Sequence, residues 1–140
     1  MGSGAVITRL SASECLALLS QAHIGRLVLS IDALPAARSV KFRLVDRKVV
    51  VRVAPDSRLC RAANGTVVAF QADHFDHIDG EGWSVVAHGI GEEMNDPREV
   101  SRLQAELPDQ WSQPPSQDIF LQIPISLISG ERVLWPSPPT

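Results

Sequence analysis

The pattern of apolar and polar positions predicts a chain of short strands with few helices. Apolar residues alternate with polar ones, or run together as in the valines near position 50, in seven segments. The predicted strands span residues 26–31, 36–45, 49–53, 66–72, 83–94, 119–125 and, as a short seventh, 132–135. Gly89 and Gly91 interrupt the fifth strand, which indicates a bulge or a close approach of another backbone.

Three segments carry helix signals instead. A capping box at residues 11–14 opens the first helix, which is expected to stop before Gly25. Asp56 or Ser57 is expected to cap a short second helix. The third begins at residues 96–99, where an aspartate cap precedes a proline at the first helical position.

These elements indicate a mainly β protein with a few short helices. Six or seven strands separated by turns favour a closed antiparallel barrel or a sandwich, because helices are too sparse for a doubly wound sheet. A single domain over residues 1–140, with its core at about 10–135, is expected. The polar segments at 73–82 and 107–117 are predicted loops, and the tail at 136–140 is expected to be loose.

Length and composition fit an ordinary globular domain. The chain has 140 residues, of which 44% are hydrophobic and 21% charged. Its two cysteines make neither a disulfide framework nor a zinc signature. No apolar run is long enough to cross a membrane and no signal peptide is visible, so a reduced, cytoplasmic protein is expected.

The charges are strongly segregated along the chain. The net charge is −3, yet residues 36–63 carry eight basic and two acidic side chains, whereas residues 73–109 are rich in acids. Phe42 is the one aromatic residue of the basic stretch, so stacking along a nucleic acid is not expected. A local cluster of arginines suits one small anion such as a phosphate, the alternative being a solvated surface.

The basic stretch contains a candidate phosphate seat. Arg52 ends a valine-rich strand, and Ser57 and Arg58 follow at the predicted start of a helix. Free backbone amides and the helix dipole favour an anion there. Lys41 and Phe42 on the preceding strand would run alongside and offer backbone groups to a flat ring. The alternative is a capped helix with solvated arginines.

Other catalytic constellations are absent from the sequence. His74 and His77 stand among aspartates, but their spacing is not a firm zinc signature, so no metal is expected. There is no nucleophile elbow, no phosphate-binding P-loop and no dinucleotide-binding glycine motif. No catalytic residue is therefore nominated.

Six stretches in this order carry a family resemblance. They are residues 10–15 with 24–27, Ser39-Val40-Lys41-Phe42, residues 51–53 with 57–59, residues 68–73, residues 82–86 with 88–89, and residues 128–130. In these stretches the chain resembles the pyridoxamine 5′-phosphate oxidase-like family of flavin-binding split β-barrels, especially its short actinobacterial members.

The resemblance implies a six-stranded antiparallel split β-barrel that forms a homodimer. It implies a groove at the dimer interface that holds FMN or, as the alternative, the deazaflavin coenzyme factor 420, with haem as a further alternative. The cofactor-binding residues so implied are Ser39, Val40, Lys41 and Phe42 at the ring, Arg52, Val53, Ser57 and Arg58 at the phosphate, and Trp83 and Ser84 from the partner subunit.

The function implied is that of an oxidoreductase acting on a small molecule. A non-catalytic carrier or sensor of the same cofactor stays open, because it would need the same seat. So does a split-barrel dimer that has lost its cofactor, because Val53 stands where the family often has threonine and Asp56 where it favours glycine. No contact with nucleic acid or with a membrane is expected.

Overall fold

Most of the described chain is β-strand. The computed structural model describes residues 4–53, 58–106 and 119–136. The strands in these ranges are β1 (Val6–Arg9), β2 (Ile24–Ile31), β3 (Leu34–Val45), β4 (Lys48–Val53), β5 (Val67–Asp76), β6 (Glu81–Ile90), β7 (Glu92–Glu93), β8 (Ile119–Pro124) and β9 (Leu127–Leu134). The helices in them are α1 (Ala12–Gln21), α2 (Arg58–Ala63) and α3 (Pro97–Glu106).

All named strands join in one antiparallel sheet, ordered β1-β9-β6-β5-β2-β3-β4-β8-β7. Strand β3 belongs to both halves of the sheet. Up to Lys41 it pairs with β2, and from Phe42 onward it pairs with β4. The sheet therefore folds over along β3 into a split barrel, which confirms the predicted fold class.

The barrel interior is filled by alternate residues of its strands. β2 buries Leu27, Leu29 and Ile31, as their alternation predicts. The valine-rich β4 is buried on both faces, because Val50 points away from the barrel core and packs with Leu103 of α3. Burial on both faces explains why β4 is an unbroken apolar run in the sequence.

The two halves of the sheet touch where β6 passes β8. A Cβ atom on Gly89 would overlap the carbonyl oxygen of Pro124, and one on Gly91 would overlap that of Ala63. The amide of Ser126 donates a hydrogen bond of 2.8 Å to the carbonyl of His88 beside this contact. The predicted close backbone approach at the two glycines is confirmed.

The hairpin of β5 and β6 is longer than its polar sequence indicates. Asp73 to Asp76 and Glu81 to Gly82 are paired strand, so the predicted loop at 73–82 is wrong except for the turn itself. In that turn Asp76 accepts hydrogen bonds from the amides of Ile78 and Asp79, which lower the pKa of its carboxyl group.

An apolar contact at the hairpin end accounts for this extension. The Phe75 ring packs 5.9 Å from that of Trp135, between ring centroids, and the Trp135 amide donates a hydrogen bond of 2.6 Å to the carbonyl of Gly80. A local alternation rule misses such a contact, because Phe75 and Trp135 lie far apart in the sequence.

Three further expectations need adjustment. Helix α1 ends at Gln21, and Gly25 lies inside β2, where it leaves room for the Phe70 ring. β1 and β7 were not predicted as separate strands, so the described residues hold nine strands instead of the seven predicted from the pattern. The predicted loop at 107–117 lies outside the described residues, as do the expected caps Asp56 and Ser57.

We expect Gly89→Ala to destabilise the protein by about 1–3 kcal/mol, because the new methyl group meets the Pro124 backbone. Gly4→Ala is the matched control, since its Cβ would meet nothing within 4 Å. Urea unfolding followed by circular dichroism measures both free energies. Equal stability of the two variants would contradict the contact of β6 with β8.

Candidate functional site

The predicted ring-lining stretch on β3 presents two different faces. Val40 and Phe42 are buried in the barrel core, and the Phe42 ring packs 4.5 Å from that of Phe70, between centroids. Ser39 is exposed and Lys41 is half-buried, both on the opposite side, here called the outer face of the sheet. Only Ser39 and Lys41 therefore offer side chains to a ligand there, and the Phe42 amide already donates a hydrogen bond of 3.1 Å to the His23 carbonyl.

Beside Ser39 a polar cluster crosses the outer face. Arg26 lies directly opposite Ser39 on one side and Gln71 on the other. Its Nε atom donates a hydrogen bond of 3.0 Å to Oε1 of Gln71, and its Nη2 atom lies 2.7 Å from Oδ2 of Asp73. Gln71 in turn donates hydrogen bonds of 3.3 Å to Asp73 and to the Ser84 hydroxyl. We call Arg26, Gln71, Asp73 and Ser84 the Arg26 cluster.

Exposed apolar side chains surround the Arg26 cluster. Strand pairing and the alternation of side chains place them on the same outer face. They are Ile24, Val28, Val67, Phe75, Ile90 and Leu127. A sheet face with many exposed apolar side chains around a hydrogen-bonded polar cluster is unusual for a solvent-exposed surface and is typical of an interface.

The predicted phosphate residues have contrasting surroundings. Arg52 is only 1% exposed, and its guanidinium carbon lies 5.5 Å from the centroid of the Phe120 ring, on the side of β4 that faces away from the barrel core. Val53 is buried in the barrel core. Ser57 lies outside the described residues. Arg58 is 76% exposed in its side chain and forms an ion pair of 3.2 Å with Asp32.

Arg58 borders an open cleft of about 390 Å³, lined also by Ser30, Asp32 and Arg61. Ser30 has the same strand parity as Arg26, four residues earlier on β2, so the two positions share the outer face about 13 Å apart. A ligand that contacts both Arg26 and this cleft must be elongated. It needs hydrogen-bonding groups at the Arg26 end and negative charge at the cleft.

The remaining predicted pair, Trp83 and Ser84, points to opposite sides of β6. Trp83 is half-buried and packs against the barrel core. Ser84 belongs to the Arg26 cluster on the outer face. The structure thus brings Ser39, Lys41 and Ser84 to one face.

The basic stretch does not form one continuous patch. Arg43 pairs with Glu106 of α3 at 3.3 Å, and Arg58 pairs with Asp32. A separate cleft of about 380 Å³ between β4 and α3 has mixed charge from Lys48, Arg102 and acidic neighbours. Within residues 4–53, 58–106 and 119–136, no three metal-ligating side chains converge.

Arg26, Gln71 and Asp73 were not predicted as site residues from the sequence. A signal was available for Arg26 and Gln71, because each is a polar residue at an alternate position of a predicted strand, whereas Asp73 fell in the predicted loop at 73–82. Single strands do not reveal which polar residues are neighbours, since that depends on the pairing of β2 with β5.

Comparison with known proteins decides the family. A model described as pyridoxamine 5′-phosphate oxidase matches residues 11–132. The chain belongs to the pyridoxamine 5′-phosphate oxidase family. The resemblance seen in the sequence is thereby confirmed. No helix in the described part of the chain is long and apolar enough to span a membrane.

Relatives in this family cover nearly the whole chain. The uncharacterized protein Rv0080 of Mycobacterium tuberculosis is 32% identical over 133 residues, which is 91% of this chain and 86% of that protein. The structure of the FAD binding protein from Mycobacterium smegmatis is 27% identical, with a TM-score of 0.71, covering 91% of this chain and 98% of its own. An FAD-binding protein from Mesorhizobium loti has a TM-score of 0.75 at 24% identity, over 91% and 98% of the two chains, and shows the shared fold.

The two arginines should differ sharply in their structural roles. Arg52→Ala is expected to lower the free energy of unfolding by about 2–5 kcal/mol, because it empties a buried site beside Phe120. Arg58→Ala should cost less than about 1 kcal/mol, since it breaks an exposed ion pair. Urea unfolding of both variants is the measurement.

Arg52→Met serves as the control, because its side chain refills most of the space without the charge. A large loss of stability in Arg58→Ala, or none in Arg52→Ala, would contradict these assignments.

Proposed function

We propose that this protein binds a flavin along the outer face of β2 and β3 and acts as an oxidoreductase on a small molecule. The observation that carries this proposal is a pair of polar ends on that face, separated by the apolar Val28 and Ala37. One end is formed by Lys41, Ser39 and Arg26, and the other is the arginine-lined cleft beside Ser30. FMN is the flavin we favour, with FAD and the deazaflavin as alternatives.

The residues present fit both ends of a flavin. The pyrimidine edge of the ring carries carbonyl acceptors and one N–H donor. Lys41, Ser39 and Arg26 supply donors to these carbonyl groups. The description of the Mycobacterium smegmatis relative as FAD binding supports a flavin over other ring systems.

Arg58 and Arg61 suit the phosphate of the same cofactor. A guanidinium has five N–H donors, so Arg58 can keep Asp32 with some of them and hold a phosphate with the others. Asp32 then orients Arg58 and lowers the local positive charge.

A bound flavin supplies the electron transfer, and the protein supplies orientation and charge. Lys41 places a cation beside the ring, and the buried side chains of Val40 and Phe42 hold the strand that carries it in place. Trp83 and Ser84 are proposed to approach the cofactor from a second subunit. A carrier or sensor would use the same residues, and turnover of a reduced cofactor by an acceptor distinguishes the two.

A homodimer is part of this proposal. The exposed apolar side chains of the outer face need a cover, and a second copy presents the same surface. Covering this face would also exclude water from the Arg26 cluster, and so strengthen its charge interactions.

The phosphate end is tested by comparing two ligands. Arg58→Ala is expected to weaken FMN binding about tenfold, the loss of roughly one charge-assisted hydrogen bond. Binding of riboflavin, which lacks the phosphate, should be unchanged. Fluorescence titration gives both dissociation constants, and Arg98→Ala on the exposed start of α3 is the control.

The same titration with FAD and the deazaflavin identifies the preferred cofactor. Absence of saturable binding of any of them to the wild-type protein would overturn the proposed function. Equal loss of FMN and riboflavin affinity in Arg58→Ala would place Arg58 away from the phosphate.

The dimer is tested separately by light scattering. We expect a mass of twice the 15.2 kDa chain, reduced toward the monomer by Val28→Lys on the outer face. Val6→Lys is the matched control, because Val6 is an exposed valine whose strand parity places it on the other face. A monomeric wild-type protein would contradict the second subunit.

A further inference from the structure

Arg26 has hydrogen-bonding capacity beyond the polar cluster that it centres. In the described part of the chain its Nε atom serves Gln71 and its Nη2 atom serves Asp73. A guanidinium carries five N–H groups, so three remain for a ligand on the outer face. The Arg26 side chain is 36% exposed, so water serves these donors in a single copy, and a ligand that covers the face has to replace that water.

Arg26 also lies beside the strand on which the flavin ring is proposed to lie. It is the direct cross-strand neighbour of Ser39, with Cβ atoms about 5 Å apart, and Lys41 is the next residue on the same face. Arg26 therefore reaches the same ligand edge as Ser39.

We propose that Arg26 contacts the flavin and sets its reduction potential, with Asp73 and Gln71 as positioning residues. This inference rests on the proposed flavin function. Two hydrogen bonds, donated by Arg26 to Gln71 and Asp73 of the neighbouring strand β5, fix the guanidinium plane.

The direction of the effect follows from charge. Reduction of a flavin by two electrons and one proton, with dithionite as the electron donor and water as the proton source, leaves one negative charge on the pyrimidine side of the ring. A nearby cation therefore binds the reduced flavin more tightly than the oxidised one. Asp73 partly neutralises Arg26, since their charged atoms lie 2.7 Å apart. Removal of the Arg26 charge should therefore lower the reduction potential, and removal of the Asp73 charge should raise it.

The midpoint potential of the bound flavin is measured by dithionite titration against reference dyes. Arg26→Gln is expected to reduce the preference for reduced over oxidised flavin about tenfold. For a two-electron couple that lowers the potential by about 30 mV. Asp73→Asn should raise the potential by a similar amount, and the control Arg98→Gln should leave it unchanged.

A merely structural role would not separate the two variants. Potentials that stay constant, or that move in the same direction, would overturn the inference while wild-type flavin binding stands. Failure of the wild-type protein to bind flavin would overturn it together with the proposed function. If Arg26→Gln does not fold, Arg26→Lys takes its place, because lysine keeps the charge. The assignment is then supported when Arg26→Lys retains the wild-type potential and Asp73→Asn has a raised potential.

Discussion

The double pairing of β3 is the constraint on which the rest of the structure depends. One continuous strand pairs with β2 up to Lys41 and with β4 from Phe42. Because side chains alternate along it, burial of Val40 and Phe42 in the barrel fixes Ser39 and Lys41 on the outer face. A shift of one residue would exchange the two sets, so the same core contacts that hold the barrel together also fix the polar edge offered to a ligand.

The outer face combines two features that rarely occur together on a free surface. Its periphery carries six exposed apolar side chains beside the polar Ser30, His88 and Glu131. Its centre is a hydrogen-bonded cluster of four polar side chains drawn from three strands. Arg26 and Asp73 remain 36% and 28% exposed in a single copy. A second copy and a ring-shaped ligand would together bury these groups, and in that drier setting a fixed charge acts more strongly on the ligand.

Local patterns predicted most of the fold and part of the site. The alternation in β2 and the valine run of β4 gave the barrel strands, and the Ser11–Glu14 capping box is present at α1. The end of the β5–β6 hairpin was missed, because Phe75 and Trp135 meet only after β6 and β9 have paired.

The candidate site shows the same division. Ser39 and Lys41 were predicted from a family resemblance, and their exposure follows from alternation. Arg26, Gln71 and Asp73 were not predicted as site residues, because Arg26 lies 45 and 47 residues from the other two and each is an ordinary polar residue when seen alone. The burial of Arg52 could not be predicted from the local sequence either, because it depends on Phe120 of a strand far along the chain.

The most direct test of flavin binding on the outer face is a nuclear magnetic resonance titration of ¹⁵N-labelled protein with FMN. We expect the largest shifts at the Arg26 Nε–H and at the amides of Ser39 and Lys41, with little change along α3. Shifts concentrated at the cleft between β4 and α3, or none at β2 and β3, would contradict outer-face binding.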